Sequence, residues 1–310
     1  MLKNLALLIV TFTVAAAGYL YWRTSLAPPP PAAGYMTADD RMIEIAGANV
    51  RVRIEGPETA PPVILMHGFI YSLETWDAWA ASLKTDHRVI RFDLLGHGLS
   101  GPDPQRRYSP DERAAFVGDV LDALGIERAI IGGNSLGGLA AWRFAAANPE
   151  RVEALILVSP GAYPVNGVGG TPLSPPAPVA LFLKTAPEAG VAMTLKNIYG
   201  DDGKVTPAKE KLVGDMMRQP GNGDAFIQSI EEFTLPDPDA LLQTITAPTL
   251  ILWGAEDAVI PVENGRRMEA ALPNARLIVY DGVGHVAHEE EPEKTISDVR
   301  AFLSAVDATR

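Results

Sequence analysis

The sequence predicts an α/β protein: a mostly parallel sheet with helices on both faces and a helical cap inserted late in the strand order. Three observations predict it. Short, largely apolar runs such as Val63-Ile64-Leu65-Met66, Ala129-Ile130-Ile131 and Thr249-Leu250-Ile251-Leu252-Trp253 have the composition of strands buried on both sides. They alternate with helix-length stretches, the order that builds parallel strands through crossovers. Between Gly161 and about Asp239 the alternation stops, and a long stretch without strand pattern reads as a cap laid over the strand ends.

Taken in order, Met42 to Ile45 and Val50 to Ile54 flank Ala46-Gly47-Ala48-Asn49 and read as a hairpin. Val63 to Met66 is a central strand that runs into His67-Gly68-Phe69-Ile70. Trp76 to Leu83 has helical periodicity, and Arg88 to Phe92 is the next strand. A turn follows at Asp93-Leu94-Leu95-Gly96-His97-Gly98-Leu99-Ser100. Ser109-Pro110-Asp111-Glu112 starts a helix that runs to Gly125, with proline and acids in its first turn. A strand from Ala129 and a helix stopped at Asn148-Pro149 come next, then a buried strand from Ala154 to Val158. In the cap region Gly- and Pro-rich chain from Gly161 to Pro178 gives way to helical stretches that include Met193, Met216 and Met217. The sheet resumes at Thr249 to Trp253 and Arg276 to Tyr280, around a helix at Gly265 to Leu272, and a last helix spans about Glu293 to Ala305.

The functional signal is Gly133-Asn134-Ser135-Leu136-Gly137, a G-x-S-x-G pattern between a β-branched strand and a helix. Glycine is needed on both sides because a Cβ would collide across so tight a turn. The turn exposes the Ser135 hydroxyl and leaves the Leu136 amide at a helix start, where it can receive negative charge. A serine hydroxyl is a weak nucleophile and needs a histidine base held by a carboxylate. In this strand order serine, acid and histidine follow one another along the chain. His67, His87 and His97 precede the serine; His285, in Gly282-Val283-Gly284-His285 after the last strand, is the expected base. His288, beside Glu289 and Glu290, reads as a solvated or helix-start residue. Asp257, in the turn between Gly254 and Ile260-Pro261, is the expected acid, with Glu256 as the fallback. The Phe69 amide is placed to complete an oxyanion hole with that of Leu136. Phe69, Tyr71 and Trp76 are candidates for an acyl pocket or for packing. The substrate-binding residues of the cap are not assigned.

The composition narrows the partners. Against 26 Lys and Arg stand 38 Asp and Glu, a net charge of -12, and no basic patch suits a nucleic acid. The 310 residues, 47% hydrophobic, suffice for a large core, in keeping with a mean hydropathy of +0.07. The chain has no cysteine, which excludes thiol catalysis, disulfides and cysteine metal sites. No metal and no cofactor are implied.

The expected organisation is an N-terminal segment at 1–26, a proline-rich linker at 27–38 and one domain at 39–310, with the cap at about 161–239. From Leu5 to Trp22 there is no charged residue, and Tyr19, Tyr21, Trp22 and Arg23 follow like an interfacial anchor. The expectation is a membrane-anchored protein with its catalytic domain outside the cytoplasm, periplasmic or extracellular. Ala15-Ala16-Ala17 also suits a signal peptidase, which would make it secreted.

His67-Gly68-Phe69, Asp93-x-x-Gly96-x-Gly98-x-Ser100, the Gly133 to Gly138 elbow, Asp257 and Gly284-His285 together resemble the α/β-hydrolase superfamily from about Met42 to the C-terminus. Asn134 before the serine is similar to the elbow of bacterial lipases and esterases, and equally to that of carbon-carbon hydrolases of ring-fission products. The latter resemblance implies a cap arginine; the helix Lys209-Glu210-Lys211-Leu212-Val213-Gly214 has none, and Arg218 follows a turn or more later. Relatives that open epoxides or remove halide carry aspartate where Ser135 stands. An anchor ahead of such a domain is similar to monoacylglycerol lipases. The implied activity is a serine carboxylester hydrolase of apolar acyl esters, whose partner is a small-molecule or lipid ester, with carbon-carbon hydrolysis as the alternative.

Overall fold

The computed structural model describes residues 34–308. It contains an eight-stranded sheet: β1 (Asp40–Ile45), β2 (Ala48–Glu55), β3 (Pro62–Met66), β4 (Arg88–Phe92), β5 (Ala129–Asn134), β6 (Val152–Val158), β7 (Thr249–Gly254) and β8 (Ala275–Tyr280). The spatial order is β1-β2-β4-β3-β5-β6-β7-β8. The pairs β1·β2 and β2·β4 are antiparallel and all others parallel. The opening hairpin turns on two residues, Ala46 and Gly47, both with positive φ (46° and 79°), a turn whose twist matches that of its strands. From β3 the chain steps to β4 on one side and then to β5 on the other, which opens a crevice beyond the carboxyl ends of β3 and β5.

The helices are α1 (Asp77–Leu83), α2 (Pro110–Ala123), α3 (Ser135–Ala147), α4 (Ala177–Thr185), α5 (Glu188–Ile198), α6 (Pro207–Met217), α7 (Asn222–Glu232), α8 (Asp239–Leu242), α9 (Val262–Ala271), α10 (Ala287–Glu290) and α11 (Pro292–Asp307). Alternate residues of the central strands point to opposite faces and build two cores. Ile64, Met66, Ile131 and Leu157 pack with Phe116 and Val120 of α2 and with Leu139 and Trp142 of α3. Val63, Leu65, Ile130 and Ile156 pack with Trp79 and Leu83 of α1 and with Val299 and Leu303 of α11. Each buried aliphatic side chain contributes about 1.5–3 kcal/mol, so the strands are held from both sides. α2 starts where the sequence indicates: Ser109 and Glu112 form a reciprocal capping box and Pro110 takes the first turn.

Helices α4 to α7 lie between β6 and β7, as the expected inserted cap. Their amphipathic faces meet in a third core of Leu183, Val191, Leu195, Ile198, Val213, Met217 and Phe226. Ile70, Tyr71 and Val286 from loops at the strand ends join it. Met193 faces solvent, whereas Met216 and Met217 are buried.

The expected localisation does not stand. Among the described residues no helix is long and apolar enough to cross a membrane, so the membrane-anchored, extracytoplasmic or secreted assignment is without structural support. The segment 1–26 and residues 27–33 of the linker lie outside the described residues.

At the elbow, a Cβ added to Gly137 would lie 2.4 Å from the Met66 carbonyl oxygen, and one on Gly133 would lie 2.4 Å from the Gly137 carbonyl carbon. Both obstacles are backbone and cannot rotate aside. Gly137→Ala is therefore expected to destabilise the domain by about 1–3 kcal/mol, read as a lower thermal midpoint. An unchanged midpoint would contradict this packing.

Candidate active site

The site is assembled from loops that leave the carboxyl ends of β3, β5, β7 and β8. Ser135 follows β5 directly and has φ +51°, a left-handed conformation that costs a non-glycine residue about 1–2 kcal/mol. The same conformation swings its side chain out of the helix it begins. Asp257 follows β7. One carboxylate oxygen accepts from the amides of Val259 and Ile260, both at 2.9 Å, which closes the turn. The other accepts from His285 Nδ1 at 2.8 Å. That bond consumes the Nδ1 proton and leaves Nε2 as the basic nitrogen. Asp257 and His285 are buried, while Glu256 is exposed to solvent.

His285 is fixed by its backbone as well. Its amide donates to the Ile198 carbonyl at 2.8 Å, and its carbonyl accepts from Asn134 Nδ2 at 3.1 Å. The same Asn134 amide group donates to the Val158 carbonyl, so the residue before the serine ties the histidine loop to β6. Glu290 adds a second brace. It accepts from the Gly284 amide at 2.8 Å with one oxygen and from the Gly200 amide at 2.8 Å with the other, and burial raises its carboxyl above the usual range. The backbones close up here: a Cβ on Gly254 would lie 2.1 Å from the Gly284 oxygen, and one on Gly284 would lie 2.4 Å from the Gly200 nitrogen.

Two cavities meet at Ser135. The larger, about 470 Å³, is lined by Ser135, His285, Asn134 and Phe69, with Tyr71 and cap residues that include Phe182 and Met193. The smaller, about 260 Å³, is lined by Ser135, Leu136, Gly161, Phe233, Leu235 and, unexpectedly, Arg113. Phe69, Ile230 and Val259 border both. Among the described residues no acceptor takes the Phe69 amide, and Leu136 lies in the first turn of α3, where an amide has no intrahelical acceptor.

His67 is a structural residue. Its Nε2 accepts from the Leu94 amide at 2.9 Å, which places the proton on Nδ1, and Nδ1 donates to the Gly68 carbonyl at 2.7 Å. The loop carrying Phe69 is thereby tied to the turn after β4. In that turn Asp93 accepts from the amides of Leu73 and Leu99, both at 2.8 Å, and burial pushes its carboxyl up to about 6. Trp76 lines neither cavity; it stacks on His288 at 4.0 Å between ring centres.

One sequence-based expectation needs correction, and two residues of the site carried no assignment from the sequence. His288 does lie at a helix start, but it is buried rather than solvated, because the apolar faces of Trp76 and Trp79 enclose it. Arg218 lines neither cavity: it bonds to Asp215 at 2.8 Å and to the Ala186 carbonyl at 2.7 Å. Arg113 and Glu290 were not anticipated. The signal for Arg113 was a charge in the apolar stripe of α2, among Ala114, Phe116, Val117 and Val120; Glu290 gave no signal, since it reads as one of three successive acids.

With this geometry in hand, comparison with known proteins is decisive at the level of family. The family model for the alpha/beta hydrolase fold matches residues 61–292. The chain belongs to the α/β-hydrolase family. It is an α/β-hydrolase enzyme with a small-molecule substrate. An uncharacterized protein of Mycobacterium tuberculosis is 32% identical over 82% of this chain and 78% of its own. A 2-hydroxy-6-oxononadienedioate/2-hydroxy-6-oxononatrienedioate hydrolase of Pseudomonas putida is 31% identical over 80% of this chain and 88% of its own. Among solved structures, naproxen esterase of Bacillus subtilis is 26% identical, with TM-score 0.71 over 92% of this chain and 96% of that one. A membrane phospholipase A described as a bacterial virulence factor is 25% identical, with TM-score 0.73 over 98% of this chain and 99% of that one.

Burial also sets an acid limit on the fold. It holds His67 down at about 4 and keeps His97 and His288 well below the usual histidine value. In the unfolded chain these rings take up protons near 6.5, so below that pH the unfolded state binds more protons and stability falls as pH falls, for His67 by up to about 1.4 kcal/mol per unit down to about pH 4, with His97 and His288 acting in the same direction. Asp93 and Glu290, held up by burial, offset part of this. The thermal midpoint is expected to drop between pH 6.5 and 5, with a shallower slope in His288→Phe. A midpoint flat over that range would contradict three neutral buried rings.

Proposed function

We propose that this α/β-hydrolase is a serine carboxylester hydrolase of apolar acyl esters, with Ser135, His285 and Asp257 as its triad. The observation that carries the reading is the His285–Asp257 bond of 2.8 Å beside a cavity that Ser135 and His285 line together. Ser135 Oγ attacks the ester carbonyl while His285 Nε2 takes its proton. Asp257 keeps the ring in the needed tautomer and stabilises the imidazolium. Negative charge on the carbonyl oxygen is received by the amides of Phe69 and Leu136, which are fixed in advance by the His67 brace and by the elbow. His285 then gives its proton to the leaving alcohol, and water deprotonated by the same nitrogen releases the acyl group from Ser135. An ester suits apolar cavities on both sides of the serine, one for the acyl chain and one for the alcohol. The domain is read as residues 39–310, with the cap at about 161–239 closing both cavities.

A second reading uses the same triad for carbon-carbon hydrolysis of a ring-fission product. The activity named for the Pseudomonas putida relative supports it. The cap arginine expected for that chemistry does not find a counterpart in Arg218, which is engaged by Asp215.

Ser135→Ala and Asp257→Asn are each expected to lower kcat on p-nitrophenyl butyrate by about 10³- to 10⁴-fold, and Ser135→Ala to abolish labelling by a fluorophosphonate. Full activity in Ser135→Ala would overturn the triad. A panel of acyl p-nitrophenyl esters beside a 2-hydroxy-6-oxodienoic acid separates the two readings: a higher kcat/KM on the esters is expected, and the reverse order would establish the second.

A further inference from the structure

Among the described residues Arg113 is a buried arginine with no carboxylate in bonding range; Glu232, Asp103 and Glu112 act on it only from a distance. It lies in the core-facing stripe of α2 and is 4% exposed. Its three acceptors are all neutral: the Tyr108 carbonyl at 3.0 Å, the Leu95 carbonyl at 3.3 Å and Ser229 Oγ at 2.7 Å. Arg51, Arg53, Arg91 and Arg218, also buried or nearly so, each bond to carboxylates. Among the described residues no carboxylate comes within 4.0 Å of Arg113; the Tyr108 ring, 5.3 Å from its guanidinium carbon, supplies a weaker compensation. Burial brings its pKa down to about 10, and the group stays protonated at neutral pH. A guanidinium has five N–H groups, and these bonds leave two without a partner.

The position of this charge gives it a use. Arg113 and Ser229 both line the smaller cavity, which is otherwise almost wholly apolar and is bordered by Ser135. An unpaired charge in an apolar wall is costly unless an opposite charge arrives, and a planar carboxylate matches the fork of a guanidinium. Ser229 comes from the cap helix α7, so the polar pair bridges cap and sheet domain at that wall.

We propose that Arg113, seconded by Ser229, recognises a carboxylate on the part of the substrate that fills the smaller cavity, which makes the preferred substrate an acidic acyl compound rather than a neutral one. This rests on the reading of Ser135 as the nucleophile and refines its substrate class from a neutral apolar acyl chain to an apolar chain that ends in a carboxylate. It is independent of whether the bond cleaved is an ester or a carbon-carbon bond, because the charge is recognised away from the reacting carbonyl.

The test compares kcat/KM for mono-p-nitrophenyl adipate and suberate with that for p-nitrophenyl hexanoate and octanoate, on enzyme whose active sites are titrated with a fluorophosphonate. Wild type is expected to favour the acidic ester of each pair by about 10- to 100-fold, mainly through KM, and Arg113→Leu to lose that preference. Ser229→Ala is expected to lose part of it. The acidic-to-neutral ratio is taken within one preparation, so partial misfolding of a variant does not alter it. A wild-type ratio near one, or a ratio unchanged in Arg113→Leu, overturns the proposal. Adipate binding, followed by the thermal midpoint, keeps this outcome separate from the ester reading. Adipate that stabilises wild type and not Arg113→Leu, in an enzyme inert to every ester, upholds the proposal while the ester reading fails. Turnover of neutral esters that depends on Ser135, with no effect of adipate, leaves the ester reading standing and removes this one.

Discussion

The structure depends on one steric condition: at the carboxyl end of the sheet, backbones approach more closely than any side chain allows. Gly133 and Gly137 let α3 start against β3, and Gly254, Gly284 and Gly200 let the β7 turn, the histidine loop and the cap lie directly on one another. Contact at that range is what brings carbonyls and amides into mutual reach, so His285 bonds to Ile198 and Asn134 through its backbone before its ring does anything. The ring then needs one further constraint, which Asp257 supplies with the oxygen its turn does not use. The placement of His285 beside Asp257 is a by-product of close backbone packing, supported by the polar side chains of Asn134 and Glu290.

The polar residues around the site divide by how their charge is balanced. Arg51 bonds to Asp40 and approaches Glu74 and Asp93, in a cluster that knits the first hairpin to the turn after β4. Glu290 is balanced by backbone amides and joins the cap to the histidine loop. Arg113 bonds only to neutral acceptors, with no carboxylate in bonding range, and it faces a cavity. Among the described residues Arg51, Arg53, Arg91 and Arg218 bond to acids, and the arginine without such a partner falls where a ligand's charge has room.

Much of this was legible in the sequence because the signals were local. Two-sided burial wrote apolar runs at β3, β5 and β7, the capping box announced α2, and the G-x-S-x-G spacing announced the elbow. What escaped depends on contacts between distant segments. Glu290 meets Gly200 across 90 positions, and His288 is enclosed by tryptophans more than 200 positions earlier; neither partner can be read from neighbouring residues. Arg113 was legible in principle, as a charge breaking an apolar helical stripe, but its value lies in the absence of an acid nearby, which only the fold reveals. The localisation inferred from the first residues drew on composition alone, and the described fold gives it nothing to rest on.

The third hydrophobic core makes cap and sheet domain depend on one another. Its interior is completed by Ile70 and Tyr71, next to Phe69, and by Val286, next to His285. Cut from its host, the insertion would therefore have a hole where those side chains belong, and the host would expose them to water. A substitution that loosens the cap's seat therefore reaches the loops of Phe69 and His285 through the neighbours that the cap encloses.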